Sequence, residues 1–286
     1  MPPPREKYVD ENGNVSMMLE DESGRIELTG LRIYREGLVT GCIIGVLGSE
    51  TTGGQFDVVD ICLPEMAPQA NRDDKMDEGT PNYLALASGL DISGDMHESL
   101  ETHLMAEYLT GELLCPEDQQ RASRISRLIL AGNSLAKPKV IDPTAPRKPS
   151  DRRKYGYDAT QYTASPTLAL DSILTTICST LPVSILPGAS DPASVALPQQ
   201  PIHTALFDKA KAFVGSTLES VTNPCWWDVD GVKVFGTSGQ NVDDVYRYVD
   251  DDHVEGGRIG LLENMLRWRH CAPTAPDTLC TLLRYG

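Results

Sequence analysis

The sequence predicts a small antiparallel β-barrel followed by a layered α/β domain, and three observations carry that reading. Short strand-like runs joined by turns fill residues 15–63 with no helical pattern between them. From residue 83 onward, apolar strands alternate with amphipathic helices. A charged, proline-bearing stretch from Pro64 to Pro81 separates the two regimes. The expected boundaries are residues 1–66 for the barrel, 67–81 for a linker and 82–286 for the α/β domain.

In the first part, Val15–Glu20 and Arg25–Thr29 flank EDESG, a turn-forming stretch with a late glycine, so they read as a hairpin. The apolar run Leu38–Leu47 and the partly alternating Gln55–Leu63 form a second pair across a Thr51–Gly54 turn. Past the linker, Tyr83–Ala87 is a strand, Glu98–Leu114 has helical spacing (Leu100, Leu104, Tyr108, Leu109, Leu113), and Ile125–Ala131 is a strand. Leu168–Leu181 is apolar at helical intervals, and Val183–Leu186 is a strand running into PGASD. His203–Val214 reads as helical, Gly231–Phe235 as a strand, and Val242–Val249 and Arg258–Trp268 as helices, the last with Ile259, Leu262, Met265 and Leu266 on its apolar face. Functional loops of such a domain lie at the strand ends.

The bulk properties exclude several classes. A chain of 286 residues buries roughly three quarters of its unfolded surface. There is no apolar run of about 18 residues, so no membrane span is expected. MPPPREKYVDENG has no apolar signal stretch. Seven cysteines without CxxC spacing point to free thiols in a reducing compartment, with neither a disulfide framework nor a zinc site. A formal charge of -16 opposes attraction to DNA or anionic membranes. Lys137–Lys154 runs the other way, with seven basic residues among prolines. It reads as a solvated loop, with nuclear import or phosphate contact as the alternative.

Candidate chemistry is sparse. His97, His103, His203, His253 and His270 form no HxH or HExxH pattern and read as ordinary histidines. PGASD departs from the GxSxG nucleophile elbow, and no phosphate-binding GxxxxGK[ST] loop occurs. GTSGQN (Gly236–Asn241) reads as a tight strand-to-helix turn, with an anion nest as the alternative. Trp226 and Trp227 are adjacent, so on a strand one indole faces the core and the other faces outward as an interface anchor or an internal packing element.

Six stretches carry a resemblance: LVTGCIIGVLGS (Leu38–Ser49), SRLILAGNSL (Ser126–Leu135), LPQQPIH (Leu197–His203), VTNP (Val221–Pro224), GTSGQNVDDVYRY (Gly236–Tyr248) and PTAPDTL (Pro273–Leu279). On these the chain resembles the small (B) subunits of the eukaryotic replicative DNA polymerases, those of DNA polymerase delta in particular. The resemblance implies a partial OB fold joined to a calcineurin-like phosphoesterase α/β sandwich, inactivated and incomplete at the C-terminus. It also implies a chain shortened at both ends, because family members begin upstream and continue past PTAPDTL.

The resemblance further implies degenerate phosphoesterase loops. Active relatives hold two metals with DxH, GDxxD and GNHD at successive strand ends. In SGLD (Ser88–Asp91) the first aspartate falls on Gly89 and its histidine on Asp91. The GDxxD loop becomes Gly132, Asn133 and Ala136, and the GNHD loop becomes Gly188, Ala189, Ser190 and Asp191. Two dications about 4 Å apart repel by on the order of 16 kcal/mol at an effective dielectric near 20, which neutral amides and methyls do not offset. No catalytic residue, metal or cofactor is expected. The implied role is a non-catalytic nuclear scaffold that binds the catalytic subunit's C-terminal region and a third regulatory subunit and reaches DNA only through the complex. The alternatives are an active phosphoesterase, or an OB module binding single-stranded nucleic acid. The latter is disfavoured because Val15–Leu63 holds only Tyr34 and Phe56 as aromatics, with acidic residues in excess.

Overall fold

Exposure alternates residue by residue along Met17–Glu20 and again along Gly45–Ser49, as expected for strands with one face packed and one in water. A computed structural model describes residues 7–9, 16–33, 36–68, 82–94, 100–112, 115–137, 163–229, 231–249 and 256–281. Packing divides the chain into two units, Met1–Asp74 with Gly239–Gly286, and Lys75–Ser238. Most of the basic stretch 137–154, most of the linker, and His97 and His253 lie outside the described residues.

In the first unit, β1 (Met17–Glu20) and β2 (Arg25–Thr29) form the expected antiparallel hairpin. Asp21 closes its turn by accepting from Ser23 N at 2.8 Å and Gly24 N at 3.0 Å. These bonds, that from the Ser23 hydroxyl foremost, hold the Asp21 carboxyl below its ordinary range. β3 (Gly45–Glu50) and β4 (Gln55–Cys62) also pair antiparallel, with a bulge beside Leu47 and Gly48. The sheet order is β1-β2-β4-β3, and the β2–β4 pairing is parallel. The expected antiparallel pattern thus holds within each hairpin and is corrected between them, where β2 and β4 run parallel.

The strand expected from Leu38 starts only at Gly45. Gly37 and Gly41 hold positive φ upstream, and a side chain on Gly41 would collide with the Pro273 carbonyl. Leu28, Ile33 and Val58 form the core of this sheet.

The same unit contains α4 (Gln240–Tyr246) and α5 (Gly257–Arg267). They bury Val242, Val245, Val249, Leu261, Met265 and Trp268 in one cluster with Val39. By packing, then, residues 239–286 join the N-terminal part, whereas the sequence-based boundaries grouped them with residue 82 onward. On α5 the buried face is turned from the expected one: Ile259, Leu262 and Leu266 are exposed, Met265 of that set is buried, and Leu261, outside it, is buried too.

The second unit is a four-stranded, all-parallel sheet in the order β5-β6-β7-β8, from Tyr83–Ala87, Ile125–Ala131, Val183–Leu186 and Leu218–Ser220. Every residue of β7 is buried, as a central strand covered on both faces requires. One face packs Leu128, Leu130, Val183 and Ile185 against Leu170, Leu174 and Ile177 of α3 (Ser165–Cys178). The other packs Ile129 and Leu186 against Trp227 of the antiparallel pair β9 (Cys225–Val229) and β10 (Val232–Gly236).

Helix α1 (Leu100–Thr110) buries Thr102 and Ala106 and packs Leu109 of the expected face against the core, while Leu100, Leu104 and Tyr108 of that face are exposed. Helix α2 (Pro116–Ala122) was not expected, although Pro116 at its start with Glu117 and Asp118 in its first turn marks one. The helix expected over His203–Val214 is instead two 3₁₀ turns, Thr204–Leu206 and Ala210–Phe213. The buried Asp171 carboxylate of α3 accepts from Lys209 N at 3.0 Å and Ala210 N at 2.8 Å, which occupies donors that a continuous helix would use internally.

Candidate functional site

Four loops leave the C-terminal ends of the parallel strands, where α/β sheets carry their sites. Those after β5 and β6 continue the strand pairing. Gly89 N donates to Gly132 O at 3.1 Å, Asp91 N to Asn133 O at 3.3 Å and Ile92 N to Ser134 O at 3.1 Å. The Ser88 hydroxyl donates to Ala131 O at 3.0 Å. Asp91 itself is exposed and holds left-handed backbone, with φ 50°.

The loop after β7 meets this pair through side chains. Asn133 Oδ1 accepts from both the backbone N–H and the hydroxyl of Ser190, each at 3.2 Å. The buried Asp191 carboxylate accepts from Leu135 N at 2.9 Å and from Gly188 N at 2.8 Å. Ala136 sits beside this contact with its N–H on Ile92 O at 3.1 Å, and Ala189 is exposed at the loop tip.

Glycine is needed at two of these positions by close approach. A Cβ on Gly188 would lie 2.5 Å from Asn133 Oδ1. One on Gly132 would lie 2.6 Å from Ser238 Cβ and 2.9 Å from Gly188 Cα, and Gly132 also holds φ +83°. The loops after β6 and β7 thus approach each other too closely at these two positions for any side chain.

A second layer, missed by the sequence reading, supports the first. Buried Gln199 and Asn223 exchange backbone bonds at 2.7 and 3.2 Å. Asn223 Nδ2 donates to Gln199 Oε1 at 2.8 Å and to Ser238 Oγ at 2.7 Å, while its Oδ1 accepts from Ser238 N at 3.2 Å. Gln199 Nε2 in turn donates to Ser194 O at 2.7 Å and Gly188 O at 3.3 Å. The signal was present in LPQQP, VTNP and GTSGQN, which marked the resemblance without indicating that their amides meet. Two amides in mutual contact carry no formal charge, and their bonds order the loops that hold them. Among the described residues, no three His, Cys, Asp or Glu side chains gather to hold a metal ion.

Of the predicted positions, Gly89, Asp91, Gly132, Asn133, Gly188, Ser190 and Asp191 come together through the bonds above, and Ala136 and Ala189 flank them. GTSGQN turns through Gly239, at φ 85°, into α4, a helix of seven residues. Trp227 is buried and Trp226 is 66% exposed, so the alternation expected of the pair holds.

Comparison with known proteins matches residues 84–284 to the family of the DNA polymerase alpha/epsilon B subunit, and residues 1–61 to the DNA polymerase delta subunit OB-fold domain. Among curated proteins, the chain is 37% identical over 264 residues to the DNA polymerase delta small subunit of Oryza sativa subsp. japonica, covering 92% of this chain and 57% of that protein. It is 36% identical to the DNA polymerase delta small subunit of Arabidopsis thaliana, over 92% of this chain and 56% of that one. For the DNA polymerase delta small subunit of Saccharomyces cerevisiae the identity is 33%, over 95% and 58%. The chain therefore spans a little over half the length of these relatives. With a family match that covers most of its length and an OB-fold match ahead of it, the chain belongs to the family of DNA polymerase alpha/epsilon B subunits.

Proposed function

We propose that this chain is a non-catalytic accessory element of DNA polymerase delta, acting in DNA replication as a scaffold for the C-terminal region of the catalytic subunit and for a further regulatory subunit. On this reading it works in the nucleus and meets DNA only through the complex. Residues 1–66 are then a partial OB fold, and residues from 82 onward form a degenerate calcineurin-like phosphoesterase domain. The relatives' shared name, polymerase delta small subunit, supports the polymerase, and the chain's acidity supports protein surfaces over DNA as partners.

One observation carries the non-catalytic part. Asn133, the position of a bridging carboxylate in an active relative, has its amide oxygen engaged by Ser190, and the nearby buried carboxylate, Asp191, is engaged by two backbone N–H groups. A binuclear metal centre needs several anionic or imidazole donors aimed into open space. These residues do not fit one, since glycine, amide and methyl groups stand at Gly89, Asn133, Ala136 and Ala189. No step through a metal is assigned.

The test is co-purification of this chain, and of a version extended to its relatives' length, with the catalytic subunit's C-terminal segment. Capture by either version supports the scaffold; failure of both counts against it. Elemental analysis with phosphatase assays addresses the rival enzyme reading. Two bound ions per chain with chelator-sensitive turnover would end the non-catalytic assignment.

A further inference from the structure

The solvent face of the β1-β2-β4-β3 sheet combines exposed aliphatic side chains with carboxylates. Leu47 on β3 and Val59 at the β4 bulge are each 67% exposed. The register sets Leu47 opposite Asp60 and Ser49 opposite Asp57, which is itself level with Thr29 on β2; Glu27 is level with Gln55. Asp60 pairs with Arg32 at 3.3 Å, and Glu20 with Arg25 at 2.9 Å at the rim. Glu27 is held by Gln55 Nε2 at 2.8 Å and by Ser16, and among the described residues no cation pairs with Glu27 or Asp57. Bonding from Gln55 first, then Ser16, keeps the Glu27 carboxyl below its ordinary range, so it is ionised at neutral pH.

From this geometry we propose that the face is a docking surface for a basic, apolar-anchored segment of a partner protein, which lays aliphatic or aromatic side chains on Leu47 and Val59 and lysines or arginines along Asp57, Asp60 and Glu27. Charge selects the occupant. A second copy would set carboxylate against carboxylate, and nucleic acid or an anionic bilayer would bring phosphate to the same groups. Exposed aliphatic side chains among carboxylates that exceed their paired cations, Arg25 and Arg32, fit a partner segment of the opposite sign. The docking face belongs to the first unit and the loop cluster to the second, and the proposal needs no assumption about polymerase membership.

The experiment uses the full chain and a fluorescent peptide with a central Leu-Phe pair flanked by three lysines on each side. A control peptide carries glutamates in place of the lysines. Anisotropy is read at 50 and 300 mM salt, and hydrogen exchange maps the footprint. The expected result is binding of the lysine peptide alone, with protection over Gly45–Cys62. Leu47→Ser with Val59→Ser weakens it at least fivefold at both salts, and Asp57→Asn with Asp60→Asn weakens it at least fivefold at low salt with a flatter salt dependence. Circular dichroism establishes that each variant is folded. Four results would overturn the proposal: equal binding of the glutamate peptide, unchanged affinity in both folded variants, a footprint outside Gly45–Cys62, or a dimer of the chain that Leu47→Ser dissolves.

Discussion

The Asp191 carboxylate bridges two loops, with Oδ1 on the Leu135 N–H at 2.9 Å and Oδ2 on the Gly188 N–H at 2.8 Å. It lies on a loop at which an active relative would place metal ligands, yet both of its oxygens are committed to backbone. That makes it a loop clamp, and the role can be tested by its removal.

Asp191→Ala leaves two N–H donors without partners in a buried site, at a cost of about 1–3 kcal/mol each before relaxation or water entry. The expected destabilisation is about 3 kcal/mol, read as a lower urea midpoint with an unchanged slope. Asp191→Asn retains one acceptor and should lose less than half as much. Equal stability of Asp191→Ala and the unaltered chain would show that the carboxylate does not clamp the loops.

Much of the strand framework was legible because it rests on short-range pattern. Arg25–Thr29, Ile125–Ala131 and Val183–Leu186 appear at the expected residues, since turns and apolar runs determine them locally. The His203–Val214 helix failed because its register is broken from a distance, by Asp171 some 38 residues away. Helix faces failed similarly: the leucines of α1 and α5 mark an amphipathic helix without stating which side the chain covers. The loop positions were readable only as a resemblance. That Asn133 meets Ser190 and Gln199 meets Asn223 depends on long-range folding, to which no spacing rule points.

The tryptophans separate cleanly by environment. Trp226 is 66% exposed and tilted against Phe235 with centroids 4.7 Å apart, whereas Trp227 and Trp268 are buried at 8% and 2% exposure. Acrylamide should therefore quench about one emitter in three, and Trp226→Phe should remove that fraction while leaving stability within about 0.5 kcal/mol, as for ordinary surface changes. A quenchable fraction that survives in Trp226→Phe would contradict this assignment of β9's faces.

Burial sets an alkaline limit on stability. Desolvation pushes the Cys178 thiol up to about 12 and the Cys42 thiol to about 11. A raised folded pKa means that the neutral thiol is favoured by the fold. Its contribution is complete below the unfolded value near 8.5 and is lost as pH rises toward 11–12. The urea midpoint should fall between pH 9 and 11, and Cys178→Ala should flatten that fall. Iodoacetamide at pH 8 should label exposed Cys62, Cys115 and Cys280 first and Cys178 last.

The segment around Lys7 ties itself to the end of α4, and charge is the means. Lys7 Nζ donates to the carbonyls of Tyr246 at 3.1 Å and Val249 at 3.0 Å, and stands 3.8 Å over the Tyr246 ring. Tyr8 adds a backbone bond to Arg247 O at 2.7 Å and stacks on Tyr248 at 4.9 Å. A cation at a helix C-terminus satisfies carbonyls that have no helical partner and opposes the negative end of the dipole. Lys7→Met keeps the apolar stem and removes the charge, so its loss should be about 1–2 kcal/mol from hydrogen bonds, dipole and ring together. Arginine at the same position should restore part of it through the ring contact. Because the pairing is partly exposed, added salt should narrow the gap between Lys7→Met and the unaltered chain. A gap that stays constant from 50 mM to 1 M salt would assign the effect to packing of the stem instead.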